Sequence, residues 1–348
     1  MPEGVSRPKA YAVWHPDDAI RMASSSGGAF SLMAEQILKR GGVVFGAAWV
    51  DGLRVKIVPV ERLDDLGMFR GSKYVSSDAA ESYKIVPGML ERGRLVLYSG
   101  APCQIAGLKA ALKGRSYPNL ITVDFICHGM PERKVFEKYI RFLESRYGDR
   151  IDRVFFRDKA FGVECNLLLK VALRNGDVRR ITGRDNTYYH GFIHNIINRE
   201  ICAKCCYNFL PRQADISLCD YRGLGEHVAF VHEADKVKGF TGVMVNSGQG
   251  KAFLDSLPQA TIVERPFDEL ANSQCCLRTH NASAPEATDF RADFERMTWK
   301  ELSEKYLTPP MRYLGYIWAR RILGPALFLR LGIFYKRLRG LRTTSWWV

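Results

Sequence analysis

The sequence is short of the features that would place it by inspection. Residues 1–12 contain no apolar core of signal-peptide length, so no secretory signal is read and the expected compartment is the cytoplasm. No GxGxxG or P-loop run occurs, and glycine placement alone therefore proposes no nucleotide. A CxxCxxC run is missing as well, which removes the simplest wiring for a chain of iron–sulfur clusters. Internal repeats and low-complexity tracts are absent, so solenoid and fibrous readings fall away. Acidic residues are missing from 311–348, where Arg312, Arg320, Arg321, Arg330, Lys336, Arg337, Arg339 and Arg342 carry more than half of the net charge of +14. A field confined to one terminal segment does not make the body a nucleic-acid surface, and no nucleic-acid partner is expected.

What is present is ordinary globular chain: 348 residues, 47% hydrophobic and 25% charged, enough for one or two cores. A Ser/Gly turn, Ser24-Ser25-Ser26-Gly27-Gly28, opens a helix over residues 29–40. Two strands, 43–50 and 54–58, flank Asp51-Gly52 as a hairpin turn. Apolar runs at 95–99 and 121–126 bracket a helical stretch at 104–112, an order that suggests a crossover onto a sheet. Residues 154–157, 167–173 and 178–182 read as strands of a second sheet or an extension of the first, 188–198 shows no period, and 286–305 reads as helical. The fold class is α/β with mixed α+β elements. Three parts are expected, 1–150, 151–305 and a basic helical tail at 306–348, set off by Thr308-Pro309-Pro310.

Nine cysteines in a chain without an export signal point to thiols, metal ligands or cluster ligands rather than disulfides. Cys202-Ala203-Lys204-Cys205-Cys206 is a CxxC with an extra thiol, spaced to aim two sulfurs at one metal or cluster iron. The remaining ligands of a closed site would be Cys103, in Gly100-Ala101-Pro102-Cys103-Gln104, and Cys127, in Cys127-His128-Gly129-Met130-Pro131, both where an expected strand ends. Local spacing suits zinc or an iron–sulfur cluster, and a buried free thiol or a redox CxxC is the plain alternative. His128, Cys206 and Cys219 are replacement ligands, whereas Cys165, Cys275 and Cys276 read as ordinary thiols. The turns at 26–28 and 100–102 each place backbone N–H groups at a helix start, where a phosphate or a flavin edge is accommodated.

Taken in chain order, Ser24-Ser25-Ser26-Gly27-Gly28-Ala29-Phe30, Arg70-Gly71-Ser72-Lys73-Tyr74-Val75, Gly100-Ala101-Pro102-Cys103-Gln104-Ile105, Cys127-His128-Gly129-Met130-Pro131, Arg157-Asp158-Lys159 and Cys202-Ala203-Lys204-Cys205 with Ala214-Asp215-Ile216-Ser217 resemble one family. It is the beta-subunit family of coenzyme F420-reducing hydrogenases and dehydrogenases, over roughly residues 20–280. The resemblance implies a flavin-binding sheet-and-helix core with FAD and a [4Fe–4S] cluster. Electrons would pass singly at the cluster and as a hydride between flavin and a deazaflavin, coenzyme F420, or a related acceptor. It implies Cys103, Cys127, Cys202 and Cys205 as cluster ligands, and Ser26, Gly27, Gly28, Ser72, Lys73, Tyr74, Gly100 and Gln104 as cofactor-binding positions, with Asp158 and Lys159 as weaker candidates. The family's Gly-Asp-Phe-Trp-Gly stands here as Cys219-Asp220-Tyr221-Arg222-Gly223. The family's N-terminal ferredoxin-type cysteine array is not found, so an electron-donor protein or soluble ferredoxin is the implied partner. Similar bacterial members resemble proteins encoded with polysaccharide-biosynthesis enzymes, which makes a sugar an alternative acceptor. The contrasting reading is a non-redox scaffold with a zinc site on the same fold.

In residues 311–339 leucines and aromatics recur among the arginines at roughly helical spacing, and the apolar stretches are too short for a spanning helix of about 20 residues. A basic amphipathic helix pair broken near Gly324-Pro325 suits an anionic membrane surface, at the inner face of the membrane, as well as it suits docking on the body.

Overall fold

The structure is a computed structural model that describes residues 7–160, 168–226, 228–279, 281–309 and 322–323. Its strands are β1 (Lys9–Val13), β2 (Val43–Val50), β3 (Arg54–Val60), β4 (Val96–Ser99), β5 (Leu120–Phe125), β6 (Ile151–Phe155), β7 (Leu169–Leu173), β8 (Val178–Ile181), β9 (Ile216–Asp220), β10 (Thr241–Val245) and β11 (Ile262–Arg265). Its helices are α1 (Asp18–Ala23), α2 (Ala29–Lys39), α3 (Ala80–Glu91), α4 (Pro102–Ala111), α5 (Arg133–Tyr147), α6 (Thr187–Ile193), α7 (Glu200–Ala203), α8 (Gly248–Asp255), α9 (Phe267–Asn272), α10 (Ala287–Asp293) and α11 (Trp299–Leu302).

Eight strands form one sheet in the order β11-β1-β10-β9-β5-β4-β2-β3, and β6-β7-β8 form a second. β2, β4, β5 and β9 are mutually parallel, and the strands outside them pair antiparallel. Alternation along the strands sends residues to two covered faces. Val44, Leu97 and Ile121 pack with Leu32, Met33 and Ile37 of α2 and Phe253 of α8. Val43, Phe45, Val96 and Tyr98 pack on the other side with Val86 and Leu90 of α3 and Ile105 and Leu108 of α4. A third core joins α5, through Phe136, Tyr139 and Leu143, to one face of the small sheet and to Tyr188, Phe290 and Trp299.

The expected hairpin is present, with Asp51 and Gly52 both at positive φ. The second-sheet reading of residues 151–182 holds. The large sheet takes β1 to β5 from before residue 150 and β9 to β11 from after it, while the small sheet starts at Ile151. Residues 188–198 contain the greater part of α6, whose Thr187, Tyr188, Tyr189, Gly191 and Phe192 are all buried. A helix covered on nearly every side has no polar face to mark a period. The helix read over 286–305 is instead α10, α11 and a π-turn, Ser303–Leu307. Cys165 and, apart from residues 306–309, Ile322 and Leu323, the basic tail lie outside the described residues. Among the described residues no helix is long and apolar enough to cross a membrane.

Adjacent parallel strands align their carboxyl ends, and open α/β sheets place their sites at that edge. Here the edge carries Gly100–Cys103 after β4, Ile126 and Cys127 after β5, and Tyr221 and Arg222 after β9. β10 runs against β9 and β1 against β10, so β1 runs the same way as β9, and the end of β1 at Val13 and the start of β10 at Thr241 lie along the same edge beside Asp220.

Candidate redox site

The four expected ligand thiols are delivered by three local devices. Cys103 is the second residue of α4, whose first turn is fixed by Pro102 and by Gln104, where Oε1 accepts from the Ala101 N–H at 2.9 Å. The Gln104 amide then donates to the Ser77 carbonyl and hydroxyl at 3.1 and 2.9 Å. Gly100 leaves room for this arm, since a Cβ there would stand 3.2 Å from Gln104 Cβ. Gly100 and Gln104 thus build the cap that holds Cys103, and the amide of Gln104 is fully engaged in doing so. Cys103 itself is exposed in the first turn of α4.

Cys127 is clamped by Asn208, which accepts from the Cys127 N–H at 3.2 Å and donates to its carbonyl at 2.5 Å. Arg212 ties this segment to β5 through the Asn208 and Phe125 carbonyls at 2.7 and 3.0 Å and through a fully buried ion pair with Asp124 at 3.0 Å. Such a pair, stripped of water, holds only with both partners present. The loop after Cys127 bridges Pro131 to Asn198, and the Arg199 N–H donates to the Met130 carbonyl at 3.1 Å. Residue 199 leads directly into the CxxC, where the Cys205 N–H closes a turn on the Cys202 carbonyl at 3.4 Å.

These devices bring the four thiols into mutual electrostatic range. Burial, then Cys205 and Cys202, raise the Cys103 thiol, and Arg199 opposes them. Burial pushes Cys127 up to about 12, with Cys202, Cys103 and Cys205 each adding to the shift. Yet among the described residues no three His, Cys, Asp or Glu side chains stand close enough to hold one metal ion. Arg199 Nε is buried without a hydrogen-bond partner, an unused cationic donor beside the thiols. Cys219, one of the replacement ligands, is directed elsewhere: its Sγ lies 3.6 Å from the Gly242 carbonyl and burial raises it strongly. His128 is likewise engaged, with Nε2 donating to the Ile193 carbonyl at 2.9 Å. Cys206 is exposed.

The second part of the edge is the Ser/Gly loop. Gly27 packs on the sheet itself, where a Cβ would meet Thr241 N at 2.6 Å and the Val13 carbonyl at 2.7 Å. Thr241 Oγ1 accepts from Gly27 N–H at 3.0 Å and Ala29 N–H at 3.4 Å. Gly28, at φ 88°, is the N-cap of α2 and supplies the left-handed turn into it. Ser26 donates to the Phe240 carbonyl at 2.7 Å. Ser25 accepts from the Ser72 N–H at 2.6 Å with the two hydroxyls 2.8 Å apart, so the loop is joined to the Arg70–Tyr74 motif. Tyr74 packs against Phe156, Tyr189 and Phe192. Lys73 is neither a surface lysine nor free to reach a phosphate in this arrangement. Its Nζ donates to the Met68, Phe69, Arg70 and Gly71 carbonyls at 3.0–3.3 Å, and burial lowers it to about 7.

Sequence reading gave Lys159 and Asp158 little weight, and Arg157, Asp220 and Thr241 none. Lys159 donates to the Ser26, Arg21 and Lys238 carbonyls at 2.5, 2.9 and 2.9 Å, fastening the Ser/Gly loop from below, and burial lowers it to about 7. Arg157, a non-glycine residue at φ 61°, pairs with Asp220 at 2.8 Å. Burial works against the Asp220 carboxylate, but Arg157, Arg222 and the Ser26 hydroxyl hold it below its ordinary range. Arg157 Nε, buried and without a hydrogen-bond partner, is a donor left over beside the loop. Asp158 turns away to Lys170 and Arg180 on the small sheet. The Arg-Asp-Lys motif was the available signal, since alternate residues point to opposite sides.

The mixed α/β sheet thus carries thiols and a cation-floored loop together at its carboxyl edge. A profile of the carboxy-terminal part of the coenzyme F420 hydrogenase/dehydrogenase beta subunit matches residues 93–269, just over half of the chain, and the chain belongs to that family. It is therefore an oxidoreductase-family protein related to the F420 hydrogenases. In fold it is similar to a chain of the F420-reducing [NiFe] hydrogenase complex from Methanosarcina barkeri, at 17% identity and a TM-score of 0.51, covering 88% of this chain and 91% of that one. No curated protein matches the sequence.

Proposed function

We propose that the chain is an iron–sulfur flavoprotein oxidoreductase, with Cys103, Cys127, Cys202 and Cys205 holding a [4Fe–4S] cluster and the Ser26–Gly28 and Ser72–Tyr74 segments lining FAD. Four thiols within electrostatic reach of one another at the carboxyl edge of the sheet carry this reading, and membership of the hydrogenase/dehydrogenase beta-subunit family favours a cluster over zinc. Arg199 and the start of α4 supply positive potential to an anionic cluster. Arg157 Nε offers a donor to an electron-rich ring or phosphate near Ser26. A bound cluster supplies single-electron exchange and a flavin converts it to hydride transfer.

The chain's own residues then have defined tasks. Gln104 and Asn208 fix the backbone under Cys103 and Cys127. Lys159 and Thr241 immobilise the Ser/Gly loop, and Asp220 keeps Arg157 oriented. The acceptor is coenzyme F420 or another hydride acceptor, including a sugar of polysaccharide biosynthesis, and the donor an electron-carrier protein such as ferredoxin. The tail's basic amphipathic pattern suits an anionic membrane surface or docking on the body.

Replacing single thiols tests the ligand set. Cys205→Ser and Cys127→Ser should each lose cluster absorbance and iron in an anaerobic preparation while the chain stays soluble. Cys206→Ser should keep both. An intact cluster in Cys205→Ser would remove that residue from the set.

A further inference from the structure

Two thiols outside the proposed ligand set face each other. Cys275 and Cys276 open a short 3-10 turn, Cys275–Leu277, after α9, and their sulfurs are 3.8 Å apart. They are unequal: Cys275 is exposed, while Cys276 is 6% exposed. Cys276 is fixed from behind by Asn281, whose Nδ2 lies 3.1 Å from the sulfur and donates to the His128 carbonyl at 2.7 Å. His128 Nδ1 stands 3.9 Å from the same sulfur. Gln274, immediately before the pair, donates to the Asp220 carbonyl at 2.8 Å, which ties the turn to the carboxyl end of β9.

A packing role accounts for one buried thiol but not for its exposed neighbour, which gains nothing from burial. We propose that Cys275 and Cys276 form a dithiol site for disulfide exchange, taking a small-molecule or exposed protein disulfide as substrate. Cys275 attacks one sulfur of the substrate, a Cys275–substrate bond forms, and the first substrate thiolate leaves. Cys276 gives up its proton to solvent and attacks Cys275 Sγ, so the second substrate thiolate leaves. The dithiol is oxidised by two electrons to a vicinal disulfide, and the substrate disulfide is reduced to two thiols. Directions of titration agree with the division of labour, since the hydrogen bond from Cys276 lowers Cys275 and Cys276 is correspondingly raised.

Chain geometry says what kind of bridge this would be. Neighbouring Cα atoms are ~3.8 Å apart, shorter than the roughly 4.4–6.8 Å that ordinary disulfides span. The closed ring is strained and easily reopened, a property of exchange sites rather than structural links. The site does not depend on the cluster.

The test uses the anaerobically prepared full-length protein with whatever cofactors it holds, treated with one equivalent of 5,5′-dithiobis(2-nitrobenzoate) and followed by thionitrobenzoate release and peptide mass. Wild type should release two anions per reagent in one fast phase and yield a 275–276 peptide lacking two hydrogens, with no adduct. Cys276→Ser should release one anion and keep a mixed disulfide on Cys275, and Cys275→Ser should lose the fast phase. Iron and flavin content should be unchanged in both variants. A stable adduct in wild type, a fast phase surviving Cys275→Ser, or iron lost from Cys276→Ser would each overturn the proposal, the last by giving Cys276 to the cluster. Should a Cys276 variant fail to fold, the wild-type adduct measurement decides alone. Failure here with normal iron and flavin leaves the cluster reading standing.

Discussion

The two helix starts at the carboxyl edge look alike in sequence and are used differently. Both the Ser24–Gly28 loop before α2 and the Gly100–Cys103 loop before α4 carry small residues ahead of a helix. At the first, Thr241 takes two of the helix-start N–H groups and Gly27 is pressed against the backbones of β1 and β10. At the second, Gln104 folds back on its own turn and leaves Cys103 exposed. A glycine before a helix therefore marks close packing in one case and a side-chain cap in the other. Only neighbours distant in sequence distinguish them.

The sharpest way to break this comparison is to add one methyl group to each loop. Gly27→Ala drives a Cβ into backbone atoms that cannot move aside, so it should cost about 3 kcal/mol in urea unfolding. Gly100→Ala meets Gln104 at 3.2 Å, an approach relieved by a shift of a few tenths of an ångström, so its cost should stay below about 2 kcal/mol and below that of Gly27→Ala. Equal costs would mean that the Ser/Gly loop is not seated on the sheet as described.

Next in size are the two caps. Thr241→Val leaves the Gly27 and Ala29 N–H groups without their acceptor and should cost about 2 kcal/mol. Gln104→Ala should cost about 1 kcal/mol and also lower the iron retained, because Cys103 rides on that turn. Iron retention falling more in Thr241→Val than in Gln104→Ala would reverse the assignment of the two loops.

A pH slope tests the floor of the first loop. Lys159 is lowered by burial to about 7 from its ordinary 10.5, so between those values the unfolded chain binds more protons than the folded one. Stability contributed by this group must therefore rise with pH across that window, the burial penalty being complete below it. Lys159→Met should flatten the rise in urea midpoint between about pH 7 and pH 10. A slope unchanged by the substitution would show that the Lys159 ammonium under Ser26 is not desolvated.

Much of this was legible before any coordinates. The 43–60 hairpin announced itself through period-two strands around Asp51-Gly52, and the cysteine-bearing loops fell after β4 and β5 as read. β1 was not legible, because five residues of Lys-Ala-Tyr-Ala-Val offer little alternation, although it lies inside the sheet between β10 and β11. α5 carries a plain apolar stripe, Val135, Phe136, Tyr139, Ile140 and Leu143, and is not among the elements expected above. At the site, the cysteines could be nominated from spacing and resemblance, but the clamps could not. Asn208 on Cys127, Thr241 on Gly27 and Asp220 on Arg157 act across 81, 214 and 63 residues of chain. Cys275 and Cys276 read as ordinary thiols because adjacency in sequence does not say which way two side chains turn.

The most direct test of the central claim is to quantify iron, sulfide, zinc and flavin per chain on one anaerobic, iron-replete preparation. About four irons with matching sulfide, together with flavin, is the predicted result. One zinc per chain with no flavin would contradict it and return the fold to a scaffold.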